Sequence, residues 1–286
     1  MVGYFVSDLH GHIDKYHKLF RIIKTEKPEA VFLGGDLLPS GVMMLTSDDA
    51  SSVNFIDNFL GVELQKLKNL LKDYYPRIFA ILGNDDARIE EASLVELEKM
   101  GLLNYVSQRK SAWSQFTVYG YPYVAPTPFL LKDWEKYDIS RFVDPGCISP
   151  EEGIRTVDIP EHDKKFSTIA NDLESLPEDI KPENSIFLFH SPPHDTRLDR
   201  AALDGKMIDY VPLDPHIGSI AIKRFIDKYQ PLITLHGHVH ESTGITGSWK
   251  EQFGKTWAFN AAHNGAELSV IIFDPRNPAG ASRILI

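Results

Sequence analysis

Met1-Val2-Gly3-Tyr4-Phe5-Val6-Ser7-Asp8-Leu9-His10-Gly11-His12 opens the chain. The run to Val6 is apolar and reads as a strand, and just past it Asp8 and His10 stand two positions apart. On an extended backbone, residues i and i+2 point to the same side. One hard oxygen and one imidazole nitrogen then aim at one point, and Gly11 lets the chain turn away. That is half of a metal site.

Four further apolar runs end in the same kinds of residue. The expected strands are Gly3–Ser7, Ala30–Leu33, Arg77–Leu82, Ser185–Phe189 and Leu232–Leu235. The second leads into Gly34-Gly35-Asp36 and the third into Gly83-Asn84-Asp85-Asp86. The fourth leads into His190-Ser191-Pro192-Pro193, and the fifth into His236-Gly237-His238-Val239-His240. Continuous apolar runs of this length fit strands covered on both faces.

Helical spacing fills the gaps. Ile13, Tyr16, Phe20 and Ile23 mark one helix, stopping at Pro28. Val53, Ile56, Leu60, Leu64, Leu67 and Leu71 mark a longer one, ending before Pro76. Leu94, Leu97 and Met100 mark a third, closed by Gly101, and Ile217, Ile220, Ala221 and Phe225 a fourth. Strand–helix alternation predicts an α/β architecture. Phe116–Tyr119, Thr256–Asn260 and Leu268–Phe273 read as strands of a second, partly antiparallel sheet, packed face to face with the first and with helices outside. No repeat or linker divides residues 1–286, so we expect one domain. Residues 121–160 break the rhythm with prolines and aromatics. They form either a surface insertion packing its own rings or a cap beside the site.

In open α/β sheets, ligands bind at the carboxyl ends of strands. Here those ends supply Asp8, His10, Asp36, Asn84, His190, His238 and His240. Seven donors exceed one four-coordinate site, but they suit two metals if a carboxylate bridges, with Asp36 the natural bridge. Mixed nitrogen and oxygen donors without a thiolate point to Mn, Fe, Zn, Co or Ni.

This ordered set resembles the calcineurin-like metallophosphoesterase superfamily, with its Asp-x-His, Gly-Asp, Gly-Asn, lone His and Gly-His-x-His. The matching residues are Asp8-Leu9-His10, Gly35-Asp36, Gly83-Asn84-Asp85, His190 and Gly237-His238-Val239-His240. The resemblance implies a four-layer α/β/β/α sandwich with two mixed sheets. It implies that Asp8, His10, Asp36 and His240 hold one divalent ion, and Asp36, Asn84, His190 and His238 a second. It also implies phosphoester hydrolysis by a hydroxide shared between ions about 3.5–4 Å apart.

One position departs from that pattern. Many members of the superfamily carry a His after the Asn, credited with assisting the phosphoryl group or the leaving oxygen; here it is Asp85. The acid role is then vacant or moved, with His216, His194 and His12 as candidates and His216 preferred. On this reading Asp36, Asn84, His216 and Asp85 are the catalytic candidates, and replacing Asp85 by His is tolerated. His194 and Arg197, in the stiff loop after His190, are candidates for contact with a substrate phosphate. His236 faces away from its neighbours and reads as a core histidine.

Bulk properties narrow the partners. Thirty basic against forty acidic residues give a net charge of −10, which disfavours broad binding to nucleic acid. No apolar run is long enough to span a bilayer. The single Cys147 excludes an internal disulfide and fits a reducing cytoplasm. The expected substrate is a small phosphomonoester or phosphodiester. The competing reading is a catalytically weak scaffold of the same fold that binds other proteins; a complete ligand set argues against it. The sequence leaves the oligomeric state open.

Overall fold

Neighbouring residues on the central strands belong to two different apolar clusters. Phe5, Phe32, Ile186 and Leu188 join one; Tyr4, Val31, Leu33, Phe187 and Phe189 join the other. Successive strand residues face opposite ways, so each strand is covered twice.

The computed structural model describes residues 1–42, 55–176 and 180–286. Val53 of the second expected helix lies outside them. The chain forms β1 (Gly3–Val6), β2 (Ala30–Gly34), β3 (Arg77–Ile81), β4 (Asn104–Tyr105), β5 (Lys110–Trp113), β6 (Phe116–Tyr121) and β7 (Ser185–Phe189). A small hairpin follows, β8 (Met207–Ile208) and β9 (Val211–Pro212). Then come β10 (Ile233–His236), β11 (Lys250–Phe253), β12 (Thr256–Asn260), β13 (Ser269–Phe273) and β14 (Ser282–Leu285).

Among the described residues, the first sheet has the order β14-β13-β1-β2-β3-β4. Strands β1 to β4 run parallel, and β13 and β14 are added antiparallel at one edge. The second has the order β11-β12-β10-β7-β6-β5, with β12, β10, β7 and β6 parallel between antiparallel β11 and β5. The inner faces meet through Phe5, Phe32, Phe79, Trp113, Phe259 and Phe273; the Phe32 and Phe79 rings stack 5.2 Å apart. Outside the first sheet lie helices Ile13–Glu26, Gly61–Leu71 and Glu91–Lys99, burying Tyr16, Leu19, Leu64, Leu67, Leu94 and Leu97. Outside the second lie Ile169–Glu174 and Ile220–Tyr229, and Phe225 meets the Phe187 ring edge-on at 4.8 Å. The architecture is a four-layer α/β/β/α sandwich.

Three expectations shift. Leu268–Phe273, expected in the second sheet, forms β13 beside β1 in the first, whereas β7 and β10 pair with β6 and β12 in the second, because the two apolar parallel runs find partners there and not beside β3. The helix before β10 begins at Ile220, after the Ser219 N-cap, so Ile217 falls outside it. The edge strands β4, β5, β11 and β14 were not anticipated, because their partly exposed residues carry no continuous apolar run. From 122 to 160 the chain has no helix and no ladder strand, only isolated bridges such as Val124 to Glu135 and Leu131 to Ile154.

Candidate metal centre

Asp8, Asp36 and Asn84 follow the carboxyl ends of β1, β2 and β3, which are adjacent in the first sheet. His190 follows β7 and His238 follows β10, adjacent in the second. The two sets meet because the sheets are fastened there. His190 Nδ1 donates to the Gly34 carbonyl at 2.8 Å, and the His238 N–H donates to Asp8 Oδ1 at 3.0 Å.

One ligand atom from each of Asp8, His10, Asp36 and His240 lies within 4.8 Å of all the others. His240 Nε2 is 3.1 Å from Asp8 Oδ1 and 3.3 Å from His10 Nε2, and His10 Nε2 is 3.8 Å from Asp36 Oδ2. On the other side, Asp36 Oδ2 is 3.4 Å from His190 Nε2, which is 3.1 Å from Asn84 Oδ1. The His238 ring meets the His190 ring edge-on at 5.3 Å. All seven sequence-derived donors therefore gather in one place, with Asp36 between two groups.

The backbone is strained where the donors sit. Asp8, His10, Asp36 and His238 have φ of 58°, 45°, 51° and 70°, the left-handed region that costs a non-glycine residue roughly 1–3 kcal/mol each. Hydrogen bonds between the loops hold two of them: Asp8 N–H to Gly35 O at 3.0 Å, and His10 N–H to Asp36 O at 2.8 Å. Gly83 is required by close approach. A Cβ there would stand 2.4 Å from Asp36 Oδ1 and 2.7 Å from His190 Cε1.

Charge is sorted sharply. Burial favours the neutral carboxyl of Asp8, but the hydrogen bond and charge of His240 prevail and hold it down at about 2. Burial likewise opposes ionisation of Asp36, and His190 and His10 keep it well below the ordinary carboxylate range. Burial disfavours charge on His10 and His190 too. Asp85 and Asp36 nevertheless raise His10 to about 9, and Asp36 raises His190 to about 9. Burial, aided by His190, drives His238 down to about 3.

The remaining candidates separate. Asp85 points at His10, with Oδ2 3.1 Å from Nδ1, and its Oδ1 accepts from the Ser40 hydroxyl at 2.7 Å. His216 Nδ1 is 2.8 Å from buried Asp199, and its Nε2 is 3.7 Å from Asp195. His194 Nε2 faces Asp214 at 3.4 Å. The exposed Arg197 guanidinium donates to the Thr246 carbonyl at 3.1 Å. Among the described residues, the polar contacts of His216, His194 and Arg197 are thus to protein groups outside the gathered donors, and the acid and phosphate-contact expectations gain no geometric support. His12 is the exposed N-cap of the first helix. His236 is buried; its Nδ1 donates to the Ser191 carbonyl and its Nε2 faces Thr234 Oγ1, both at 2.8 Å, and burial lowers it to about 4.

Asp86 was missed as a site residue. Fully buried, it accepts from the N–H groups of Leu37, Leu38 and Gly83 at 3.1, 2.7 and 2.9 Å, tying the Asp36 loop to the Asn84 loop. An Asp two residues past Asn84 in a tight turn was its only sequence signal. The irregular segment reaches the chain just after Asp86: Asp133 Oδ2 accepts the Arg88 N–H at 2.8 Å.

Carboxylates, an amide oxygen and neutral-capable imidazoles, all converging and with no thiolate, fit a divalent cation of the hard or borderline kind. Comparison with known proteins agrees with that chemistry. A family model described as calcineurin-like phosphoesterase matches residues 3–242. The fold is similar to TT1561 of Thermus thermophilus, at 16% identity and a TM-score of 0.56 over 99% of this chain and 98% of that one. It is also similar to a dimetal phosphatase from Danio rerio, at 11% identity and a TM-score of 0.54 over 95% and 92%. No curated protein sequence matches.

Proposed function

The chain belongs to the calcineurin-like phosphoesterase family, hydrolases of phosphate esters, and from that premise we propose that its seven gathered side chains hold two divalent cations about a shared Asp36. Asp8, His10, Asp36 and His240 would hold one; Asp36, Asn84, His190 and His238 the other. The observation that supports this best is Asp36 Oδ2, 3.8 Å from His10 Nε2 and 3.4 Å from His190 Nε2, so that one carboxylate reaches both groups. When bound, such a pair of Mn, Fe, Zn, Co or Ni ions supplies charge neutralisation for a phosphoryl group and a water that ionises near neutral pH.

The protein supplies orientation. Gly34 O fixes the His190 ring so that Nε2 faces inward. The Asp85 N–H takes Asp36 Oδ1 at 2.8 Å, leaving Oδ2 for sharing. The His238 N–H steadies Asp8. Both Asp85 oxygens are engaged and His216 faces Asp199, so this reading assigns no protein acid to the leaving oxygen.

The substrate class proposed is a small phosphomonoester or phosphodiester, in the cytoplasm. The net charge of −10 disfavours a polyanionic nucleic acid. Among the described residues no helix is long and apolar enough to cross a membrane. The segment 122–160, joined through Asp133 to the loop after Asp86, is proposed as a rim of the site.

The test is to strip the protein with chelator, reload it with Mn²⁺, count metal per chain and assay p-nitrophenyl phosphate and bis-p-nitrophenyl phosphate. Two ions per chain and turnover of either ester are expected. One ion or none, with neither ester cleaved, would return the scaffold reading.

A further inference from the structure

Resting on the metal-centre reading above, we propose that Asp85 is a positioning residue for His10: it sets that ring's tautomer and direction, and through its backbone it also sets Asp36.

An imidazole has two nitrogens, and only the unprotonated one binds a metal. His10 Nδ1 is 3.1 Å from Asp85 Oδ2, while Nε2 looks toward His240 and Asp36. A carboxylate can only accept, so Nδ1 keeps its hydrogen and Nε2, toward the gathered donors, is the nitrogen left to give its lone pair once a metal displaces its proton. Asp85 is itself held at three atoms. Its Oδ1 accepts from Ser40 Oγ at 2.7 Å, its carbonyl accepts from the Gly41 N–H at 2.8 Å, and its N–H donates to Asp36 Oδ1 at 2.8 Å. Ser40 and Gly41 lie in the loop that carries Asp36. One residue thereby fixes the angular freedom of two candidate ligands drawn from different strands.

A purely structural role fits less well. Loss of such an outer partner weakens metal binding by about 10–100-fold, an effect that a role confined to the fold would not produce. The pairing also removes Asp85 from the phosphoryl group's path, and it reverses the expectation that His is tolerated at this position. An imidazole there lacks a carboxylate's two acceptors for His10 Nδ1–H and Ser40 Oγ–H.

The test uses the full chain, chelator-stripped and titrated with Mn²⁺ by calorimetry and with Co²⁺ by proton NMR, as wild type, Asp85→Ala and Asp85→Asn. Wild type should take two ions. Asp85→Ala should bind one of them about 10–100-fold more weakly and the other unchanged. It should also lose one slowly exchanging, Co²⁺-shifted imidazole N–H signal, with its far-ultraviolet circular dichroism unchanged. Asp85→Asn, whose amide oxygen still accepts, should recover part of both. Wild-type affinities and a retained N–H signal in both variants would overturn the inference while leaving the metal centre standing. A wild type that binds no metal would overturn both.

Discussion

His190 Nδ1 donates to the carbonyl oxygen of Gly34 at 2.8 Å, so a side chain of the second sheet is fastened to the backbone of the first. Both groups are buried. His190→Ala would leave a cavity and an unpaired carbonyl, each costly in a packed interior. Urea unfolding of the metal-free variant should show a loss of about 2–4 kcal/mol, and bound metal should fall by at least one ion per chain. An unchanged unfolding midpoint would show that the fastening contributes nothing to the fold.

Stability should depend on pH in opposite senses with and without metal. In the metal-free protein His10 and His190 are raised to about 9 from the ordinary 6.5. A group raised on folding contributes stability that is complete below 6.5 and is lost as pH climbs through about 9. Chelator-treated protein should therefore melt at progressively lower temperature across that window. Metal must displace those protons, so the stabilisation it gives should grow over the same range, with protons released on binding. Melting curves at several pH values with chelator and with Mn²⁺ check both slopes; parallel slopes would count against imidazole ligation.

Asp36→Asn separates charge from shape. The amide is nearly isosteric, so the fold should persist. The carboxylate that reaches both His10 and His190 would be gone, and activity should fall to background with metal content. The same change removes the main charge that holds His190 up and one that, after Asp85, helps to hold His10 up. Its metal-free form should then lose less stability between pH 6.5 and 9 than the metal-free wild type. Two bound ions and normal turnover in this variant would remove the shared carboxylate from the mechanism.

The five donor-bearing strand ends were legible because two constraints coincide there. A strand buried on both faces must read as an apolar run, as Ser185–Phe189 does, and a ligand site must sit where such runs stop. The contacts of Asp85 were not legible, because its partners His10 and Ser40 are 75 and 45 positions away and no local pattern reports them. His216 reads as a candidate from its place before the helix that leads to the His240 strand, and Arg197 from its spacing after His190, but neither cue can tell a site contact from a bond to Asp199 or Thr246. Edge strand β14 escaped because its residues are largely exposed. The path of 122–160 escaped because it is set by long-range backbone bonds and by side chains such as Asp133 and Glu135, at no fixed period.

That segment gives the last prediction. Lys132 and Glu135 are both fully buried, with Nζ 2.5 Å from Oε2 and also 2.9 Å from the Thr127 carbonyl. Glu135 further accepts from the Thr127 N–H and hydroxyl at 2.8 and 2.5 Å. Burial outweighs these partners and lifts Glu135 to about 7. Removing one member of such a pair strands a buried charge, at a cost of about 3–5 kcal/mol when ionised. Lys132→Met should therefore destabilise the protein, and its sign with pH is fixed. A carboxyl raised on folding costs little below the ordinary 4.5 and progressively more as pH rises, and losing Lys132 raises Glu135 further. The penalty read from urea unfolding should be small at pH 5 and large at pH 8. Adding Glu135→Gln, which keeps an acceptor for Thr127 without the charge, should recover most of it and flatten the pH dependence. A Lys132→Met penalty equal at both pH values would mean that packing, and not the stranded carboxylate, sets the cost.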